Sequence, residues 1–327
     1  MAQEKKKQIV TIGGGTGTFV VLSGLKHLPD VSLTAIVSVA DDGGSTGRLR
    51  DAYGFLPLGD ARQALIALSN GDDPSLMRAL FGYRFSKGDL SGHNFGNLFL
   101  TALTDILGSD ADAIEAASKV LRVKGRVMPV SREPATLIAE LKDGTTITTE
   151  HEIDERVPGR APITSLKTAE GVRANDEAVR AIHEADVIVL GPGDLYASTL
   201  ANFAVEGMPE AVKGSNAHLV YVMNLFTKAG QTEGYSAKRH IEEITQHVGR
   251  APDTVIMHSG IFADEALQKY KEEHELPVTD DLPQDPHIVR GDFADTHAVP
   301  KAPGDALPRS LIRHDPKKIA SVIQTLL

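Results

Sequence analysis

The stretch "QIVTIGGGTGTFVVLSGL", Gln8 to Leu25, confines the chain to few folds. Apolar, β-branched residues run into Gly13-Gly14-Gly15-Thr16-Gly17, and an apolar stripe at Leu22, Leu25 and Leu28 follows. A buried strand that turns sharply into an amphipathic helix is the first half of a β-α-β unit. The pattern recurs: Leu33–Val39, Asp186–Leu190, Ala217–Met223 and Thr254–His258 read as further buried strands. Helical periodicity lies at about 17–28, 61–69, 94–107, 175–184, 195–204, 238–248 and 316–326. This alternation predicts an α/β fold, a Rossmann-like parallel sheet with helices on both faces.

Segment 125–170 breaks the alternation. "GRVMPV", "TLIAEL" and "TTITTEHEI" alternate at period two around an Asp143-Gly144 turn, which predicts a small antiparallel, β-rich insertion. Residues 264–290 crowd acidic side chains with Pro277, Pro283 and Pro286 and read as a helix followed by a mobile acidic flap. No stretch has the composition of a linker, so residues 1–327 are expected to form a single domain carrying the insertion.

Composition bears mainly on partners. Lys and Arg total 34 and Asp and Glu 44, a formal charge of −10, so a nucleic-acid binder with a broad basic face is not expected. The absence of cysteine excludes disulfides, thiolate zinc sites and cysteine nucleophiles, and it fits a reducing cytoplasm. Glu4-Lys5-Lys6-Lys7 has the charge of a signal-peptide start, but no apolar segment follows, so it reads as a solvated tail. No run approaches the ~18 apolar residues of a membrane helix. Neither nucleic acid nor a membrane is an expected partner, and a homo-oligomer stays open.

The glycine loops point to a ligand. Between a strand and a helix, glycines allow a tight turn and let a phosphate reach backbone N–H groups at the positive end of the helix dipole. Gly13, Gly14, Gly15, Thr16, Gly17 and Thr18 are therefore candidate ligand contacts, although a tight turn without a ligand would need the same residues. The match to G-x-G-x-x-G ends at Thr18 in place of the third glycine, which weakens an NAD site, and no P-loop lysine follows.

After the second strand, "ADDGGSTGRLR" puts Asp41 and Asp42 at a strand end, where open parallel sheets bind ligands. Gly43 and Gly44 free the loop, and Ser45 and Arg48 offer donors. Two carboxylates beside a phosphate site suit Mg²⁺; an Asx-type turn explains them as well, and Asp41 could hold a ribose instead. Asp60 and Gln63 read as a capping box. In "SGHNFGN", Ser91, His93, Asn94 and Asn97 cluster at a helix start that either binds an anion or caps itself. "LGPGDLYAS" repeats the strand–glycine–helix design, with Gly191, Gly193, Asp194 and Tyr196 as candidates.

Taken in order, "GGGTGT", "ADDGGSTGRLR", "LPLGDARQAL", "YRF", "SGHNFGN", "LGPGDLYAS", "GQTEGY" and "RHDPKK" resemble the YvcK-type gluconeogenesis factors, relatives of 2-phospho-L-lactate transferase in the CofD-like group. The motifs span Gly13 to Lys318, nearly the whole chain. Asp194 stands where that family commonly has serine. The resemblance implies a cytoplasmic Rossmann-like protein that binds a nucleotide-containing ligand, with a UDP-sugar, UDP-N-acetylglucosamine, foremost. It implies a regulatory role in growth on gluconeogenic carbon sources and in cell shape. It also implies ligand contacts by Tyr270, upstream of Pro277-Val278, and by Arg313 of "RHDP". The competing expectation is a Mg²⁺-dependent transferase of a phosphate-bearing group from a nucleotide.

Overall fold

Strands covered on both faces need unbroken apolar runs, and the runs of this chain pair side by side. The computed structural model describes residues 6–70, 74–169, 171–295 and 312–327; Glu4 and Lys5 of the expected tail lie outside them. Its strands, in chain order, are β1 (Lys7–Gly13), β2 (Val31–Val37), β3 (Arg126–Pro129), β4 (Leu137–Leu141), β5 (Thr146–Thr148), β6 (Ile163–Thr168), β7 (Val187–Leu190), β8 (His218–Val222), β9 (Thr254–His258), β10 (Ile288–Gly291), β11 (Ala294–Asp295) and β12 (Arg313–His314).

Seven of them form one sheet in the order β10-β9-β8-β7-β1-β2-β3. Every pairing in it is parallel. Ile9, Ile12, Ile36, Val189, Val220 and Ile256 are buried along these strands and form the centre of the core. β4, β5 and β6 make a separate antiparallel sheet, and β11 pairs with β12.

Three features depart from the sequence reading. "GRVMPV" does not belong to the antiparallel insertion: β3 is an edge strand of the main sheet, with Val127 opposite Ala35 of β2. Val127, Met128 and Pro129 are buried in succession, the signature of a strand covered on both faces, and the crossover helix that leads to it is Asp110–Val120. The expected helix over 195–204 is instead a π-turn, Leu195–Thr199, followed by a 3₁₀ turn, Leu200–Ala204. The loop "DDGGSTGRLRD" already contains a helix, Gly44–Tyr53, which ends on the left-handed Gly54. Segment 264–290 begins as the helix Asp264–Glu272 and ends within β10, where Arg290 holds Asp280 at 2.6 Å.

From β1 the chain moves through β2 to β3 on one side, and from β7 through β8 and β9 to β10 on the other. β1 and β7 therefore flank the topological switch point, where open α/β sheets leave a crevice at the carboxyl ends of the strands. The two loops at that crevice touch. A Cβ at Gly17 would stand 2.0 Å from the Pro192 carbonyl oxygen. Gly17 thus serves the contact between the two loops.

Gly17→Ala should push the β1 and β7 loops apart and cost about 1–3 kcal/mol. Gly82→Ala, in the helix Pro74–Gly82 with no heavy atom near the added methyl group, should be neutral or slightly stabilising. Urea unfolding of both variants checks this; equal midpoints would refute the packing argument.

Candidate functional site

At the end of β1, the helix Gly15–Leu25 exposes backbone donors that need a partner. The partner of Gly15 comes from the protein: its N–H donates to Asp60 Oδ1 at 2.8 Å. Gly14 lacks a side chain for the same reason, since a Cβ there would lie 2.1 Å from Asp60 Oδ2. The expected capping box at Asp60 does not form. Its own helix, Gly59–Leu68, begins without a side-chain cap, and the carboxylate reaches across to the neighbouring helix. Burial, and then the charge of Asp41, push the Asp60 carboxyl up to about 7. Beside this contact the hydroxyl of Thr18 is buried with no hydrogen-bond partner among the described residues.

The loop after β2 supplies the second wall. Asp41 Oδ1 accepts the Gly43 N–H at 3.0 Å, and its other oxygen lies where a side chain at Gly59 would be. Burial raises the Asp41 carboxyl against the pull of Gly43 and Thr46. Thr46 in turn receives Asn97 Nδ2 at 3.1 Å, and Asn97 Oδ1 receives Arg62 Nε at 2.7 Å. Three sequence motifs are thereby joined into one buried polar network. Asp42 points elsewhere, its Oδ1 accepting the His151 N–H of the insertion at 2.8 Å.

The "SGHNFGN" helix caps itself: Asn94 Oδ1 accepts the Asn97 N–H at 3.2 Å. Ser45 Oγ accepts the Asn94 N–H at 3.1 Å and lies 3.4 Å from His93 Nδ1. Burial, Arg48 and Arg84 hold His93 below its usual range. Arg48 donates to the Ser91 carbonyl at 3.4 Å and spans the loops that carry Gly44 and Ser91.

The insertion and the loop after β8 complete the crevice. The short helix Glu150–Asp154 carries two carboxylates on one face. Lys228 Nζ binds Asp194 at 2.6 Å and also Asp154. Burial opposes the charge of Asp194, but Lys228 outweighs it and holds that carboxyl below its ordinary range. Asp154 is pushed up to about 7 by burial and by Asp194. Glu150 is raised well above its usual value by burial and then by Asp41, Asp154, Asp60 and Asp194.

The Asp194 side chain does not cap the turn that follows it; Gln231 of "GQTEGY" does, its Oε1 accepting the Tyr196 and Ala197 N–H groups at 3.3 and 3.4 Å. Tyr196 contributes that N–H; its ring is fully buried and its hydroxyl lies 3.1 Å from the Tyr235 hydroxyl. Gly191 is left-handed, with φ 64°, and Asn224 fixes the next turn by donating to the Gly193 carbonyl at 2.6 Å.

Tyr270 and Arg313 come together at the neighbouring edge. The Ile312 N–H donates to the Tyr270 hydroxyl at 3.0 Å, so Tyr270 holds the backbone next to Arg313. The Tyr270 ring stacks on Phe226 at 3.8 Å and 8°, as a buried packing aromatic. Arg313 lies opposite Asp295 in the β11–β12 pair.

Sequence reasoning missed Arg62, Glu150, Asp154, Asn224, Lys228 and Gln231. Glu150 and Asp154 had a readable signal, two carboxylates four apart in "EHEID". Lys228 and Gln231 are brought in only by tertiary structure. Among the described residues no three His, Asp or Glu side chains form a metal-ligating group. Asp41 and Asp60 are nevertheless neighbouring carboxylates, and one or two carboxylates together with phosphate oxygens are the ligands Mg²⁺ takes.

A family model described as 2-phospho-L-lactate transferase CofD matches residues 9–292. The gluconeogenesis factor of Halalkalibacterium halodurans is 40% identical over 98% of this chain and 96% of its own length. The gluconeogenesis factor of Bacillus subtilis is 40% identical over 99% of both chains. A crystal structure of a Bacillus halodurans protein superposes with a TM-score of 0.87 at 39% identity, covering 98% of this chain and 100% of that one. Among the described residues no helix is long and apolar enough to cross a membrane.

Because burial pushes the Asp60 and Asp154 carboxyls up to about 7, well above their ordinary 3.8, folding favours their protonated forms. Stability should therefore be fullest below about pH 4 as far as these groups are concerned and decline as pH rises toward 7. Asp60→Asn keeps an acceptor for Gly15. It should flatten the decline and raise stability at pH 8 by about 1–4 kcal/mol. Urea midpoints between pH 5 and 8, without divalent cations, give the answer; an unchanged pH profile in the variant would count against the buried-carboxyl assignment.

Proposed function

The chain belongs to the CofD family, and from that premise we propose that it is a cytoplasmic nucleotide-sugar-binding regulatory protein whose ligand is UDP-N-acetylglucosamine. The observation that carries the ligand class is the meeting of two glycine loops at the switch point, with Arg313 and Tyr270 on the adjacent edge. Phosphate at such a crevice is attracted by helix N-termini and by a guanidinium fork. The crevice itself is rich in carboxylates, so a diphosphate needs a compensating cation there. Asp41 and Asp60 are the carboxylates that would hold Mg²⁺, which supplies neutralisation of the diphosphate charge. A role in growth on gluconeogenic carbon sources follows the names of the relatives. A role in cell shape follows the family resemblance.

One observation favours a second reading, a Mg²⁺-dependent transferase of a phosphate-bearing group. Asp60 and Asp154 have carboxyls near 7 within one crevice, the range in which a side chain exchanges protons efficiently at neutral pH. A binder needs no such group, only a difference in affinity between conformations.

UDP-N-acetylglucosamine at about 100 times its dissociation constant should stabilise the protein by about 2.7 kcal/mol. Arg313→Ala should cost about 1.5–3 kcal/mol of that affinity, more than it costs the ligand-free protein in stability. Calorimetry and thermal melts, each with Mg²⁺ and with EDTA, check both, and no melting shift at millimolar ligand would sink the reading. The double substitution Asp41→Asn, Asp60→Asn separates the two functions, since Asp42 is turned to the His151 N–H and is not one of the carboxylates that would hold the cation. A regulator should show altered affinity and no turnover to lose, whereas multiple turnovers abolished by EDTA and by the double substitution would establish the transferase.

A further inference from the structure

The helix Phe95–Leu107, "FGNLFLTALTDIL", is apolar on nearly every side, a composition that belongs to a helix buried all round. It is not buried all round. Gly96, Asn97, Leu100 and Thr104 face inward, and of its apolar side chains Leu100 alone is buried. On that inner face Asn97 bonds Thr46 and Arg62. The outward stripe is Phe99, Ala102 and Ile106, at i, i+3 and i+7, and Ile106 is 76% exposed.

A second helix widens the stripe. Pro74–Gly82 folds back against the first: the Phe95 N–H donates to the Tyr83 carbonyl at 2.8 Å, and the Phe81 ring packs against Phe95 and Phe99 at 5.9 and 5.1 Å. Phe81 is buried, so Leu76, Leu80 and Tyr83, at i, i+4 and i+7, lie on another side of the helix, and all three are exposed. Arg78, the charged residue of this helix, is turned over the Phe19 ring at 5.7 Å. The two stripes make one apolar face. Its footprint is about 20 by 20 Å, thirteen helical residues long and two helix diameters wide. Side-chain relief and the turn to the exposed Leu90 bring its accessible area to the order of the ~800 Å² that each partner of a stable complex contributes. An exposed apolar patch of this extent marks contact with another molecule.

We propose that this face is the contact between two copies of the chain, related by a two-fold axis that crosses it near Leu80 and Phe99. The charges at its ends select a second copy. Arg84 and Lys87 follow Tyr83, with Asp89 the one carboxylate of that turn, and Asp105 stands beside Ile106 at the other end. Among the described residues neither Lys87 nor Asp105 has an ion pair within the chain. A two-fold axis perpendicular to the helix Phe95–Leu107 sets the basic end of each copy against the acidic end of the other, twice. At a formal charge of −10, two copies repel over most of their surface, and an apolar face with ends of opposite sign is where they approach. The contact is independent of what the crevice binds, and it covers the outer side of the helix whose inner side carries Asn97.

Light scattering and sedimentation of the full chain across a range of concentrations test it, and at micromolar concentration the wild type should have twice the chain mass. Ile106→Glu, at a position already exposed, should keep the circular dichroism spectrum and raise the dimer dissociation constant about a hundredfold, because it puts a lone charge into an apolar contact. Lys87→Glu and Asp105→Lys should each weaken the dimer about tenfold, and the two together in one chain should restore it. Only pairing of opposite ends across a two-fold axis gives that recovery. Ile261→Glu, equally exposed but beyond β9, should leave the dimer unchanged. A wild type that stays monomeric at high micromolar concentration, a dimer indifferent to Ile106→Glu, a mass that keeps growing with concentration, or a charge exchange that restores nothing would overturn the proposal.

Discussion

The contact between the Asp60 carboxylate and the Gly15 N–H organises the site. It joins the first turn of the helix after β1 to the start of a helix in the β2–β3 connection, beside the switch point of the sheet. It requires Gly14, whose missing side chain leaves room for the carboxylate, and it brings Asp60 close enough to Asp41 for each to oppose the charge of the other. A helix N-terminus commonly attracts an anion from outside. Here one donor is already satisfied from within, so a phosphate arriving at the crevice meets a carboxylate as well as a dipole. The affinity of the loop for an anion is thereby coupled to protons or cations that reduce the charge of Asp60.

The same accounting extends through the crevice. Asp41, Asp60, Glu150, Asp154 and Asp194 share it with few cations, chiefly Lys228 and Arg62. Lys228 is committed to Asp154 and Asp194, and burial works against its charge while those two carboxylates raise its pKa. Arg62 is drawn into the chain of Asn97 and Thr46 that ends on Asp41. Charge crowds on Asp41, Asp60 and Glu150, whose carboxyls are raised first by burial and then by neighbouring carboxylates. Protonation and a divalent cation are two ways to remove it, and they compete for the same oxygens.

Much of the fold was legible because burial writes itself as period. Five runs predicted as strands coincide with β1, β2, β7, β8 and β9 within a few residues. β3 was misplaced because an edge strand of four residues, next to a segment of alternating pattern, has too little length to declare its period. The helices Gly44–Tyr53 and Asp110–Val120 escaped because the first is polar and glycine-rich and the second lies in a long alanine-rich stretch without a strong stripe. In the site, glycine loops and helix caps are local and could be read. That Asp60 would cap a different helix, that Asp42 would face the insertion, and that Lys228 would lie between Asp154 and Asp194 depend on residues 34 to 109 positions apart. No window of sequence contains those pairs.

The insertion makes the crevice a composite of two sheets. β4, β5 and β6 could form a small antiparallel unit anywhere on the surface, but the helix Glu150–Asp154 is fastened at the site by the Asp42 bond to the His151 N–H and by the Lys228 bond to Asp154. Beyond it, Arg156 meets Glu275 at 2.7 Å, and the Gly159 N–H meets Glu233 at 2.9 Å, so the fastening continues along the edge that leads to Tyr270. Most of these contacts are ionic or charge-assisted, and several converge on the surplus-charge cluster. A change in that charge, by proton, cation or anionic ligand, therefore acts on the docking of the insertion as well as on the occupant of the crevice. Binding and conformation draw on one set of carboxylates, which is the physical requirement for a ligand to be reported at a distance.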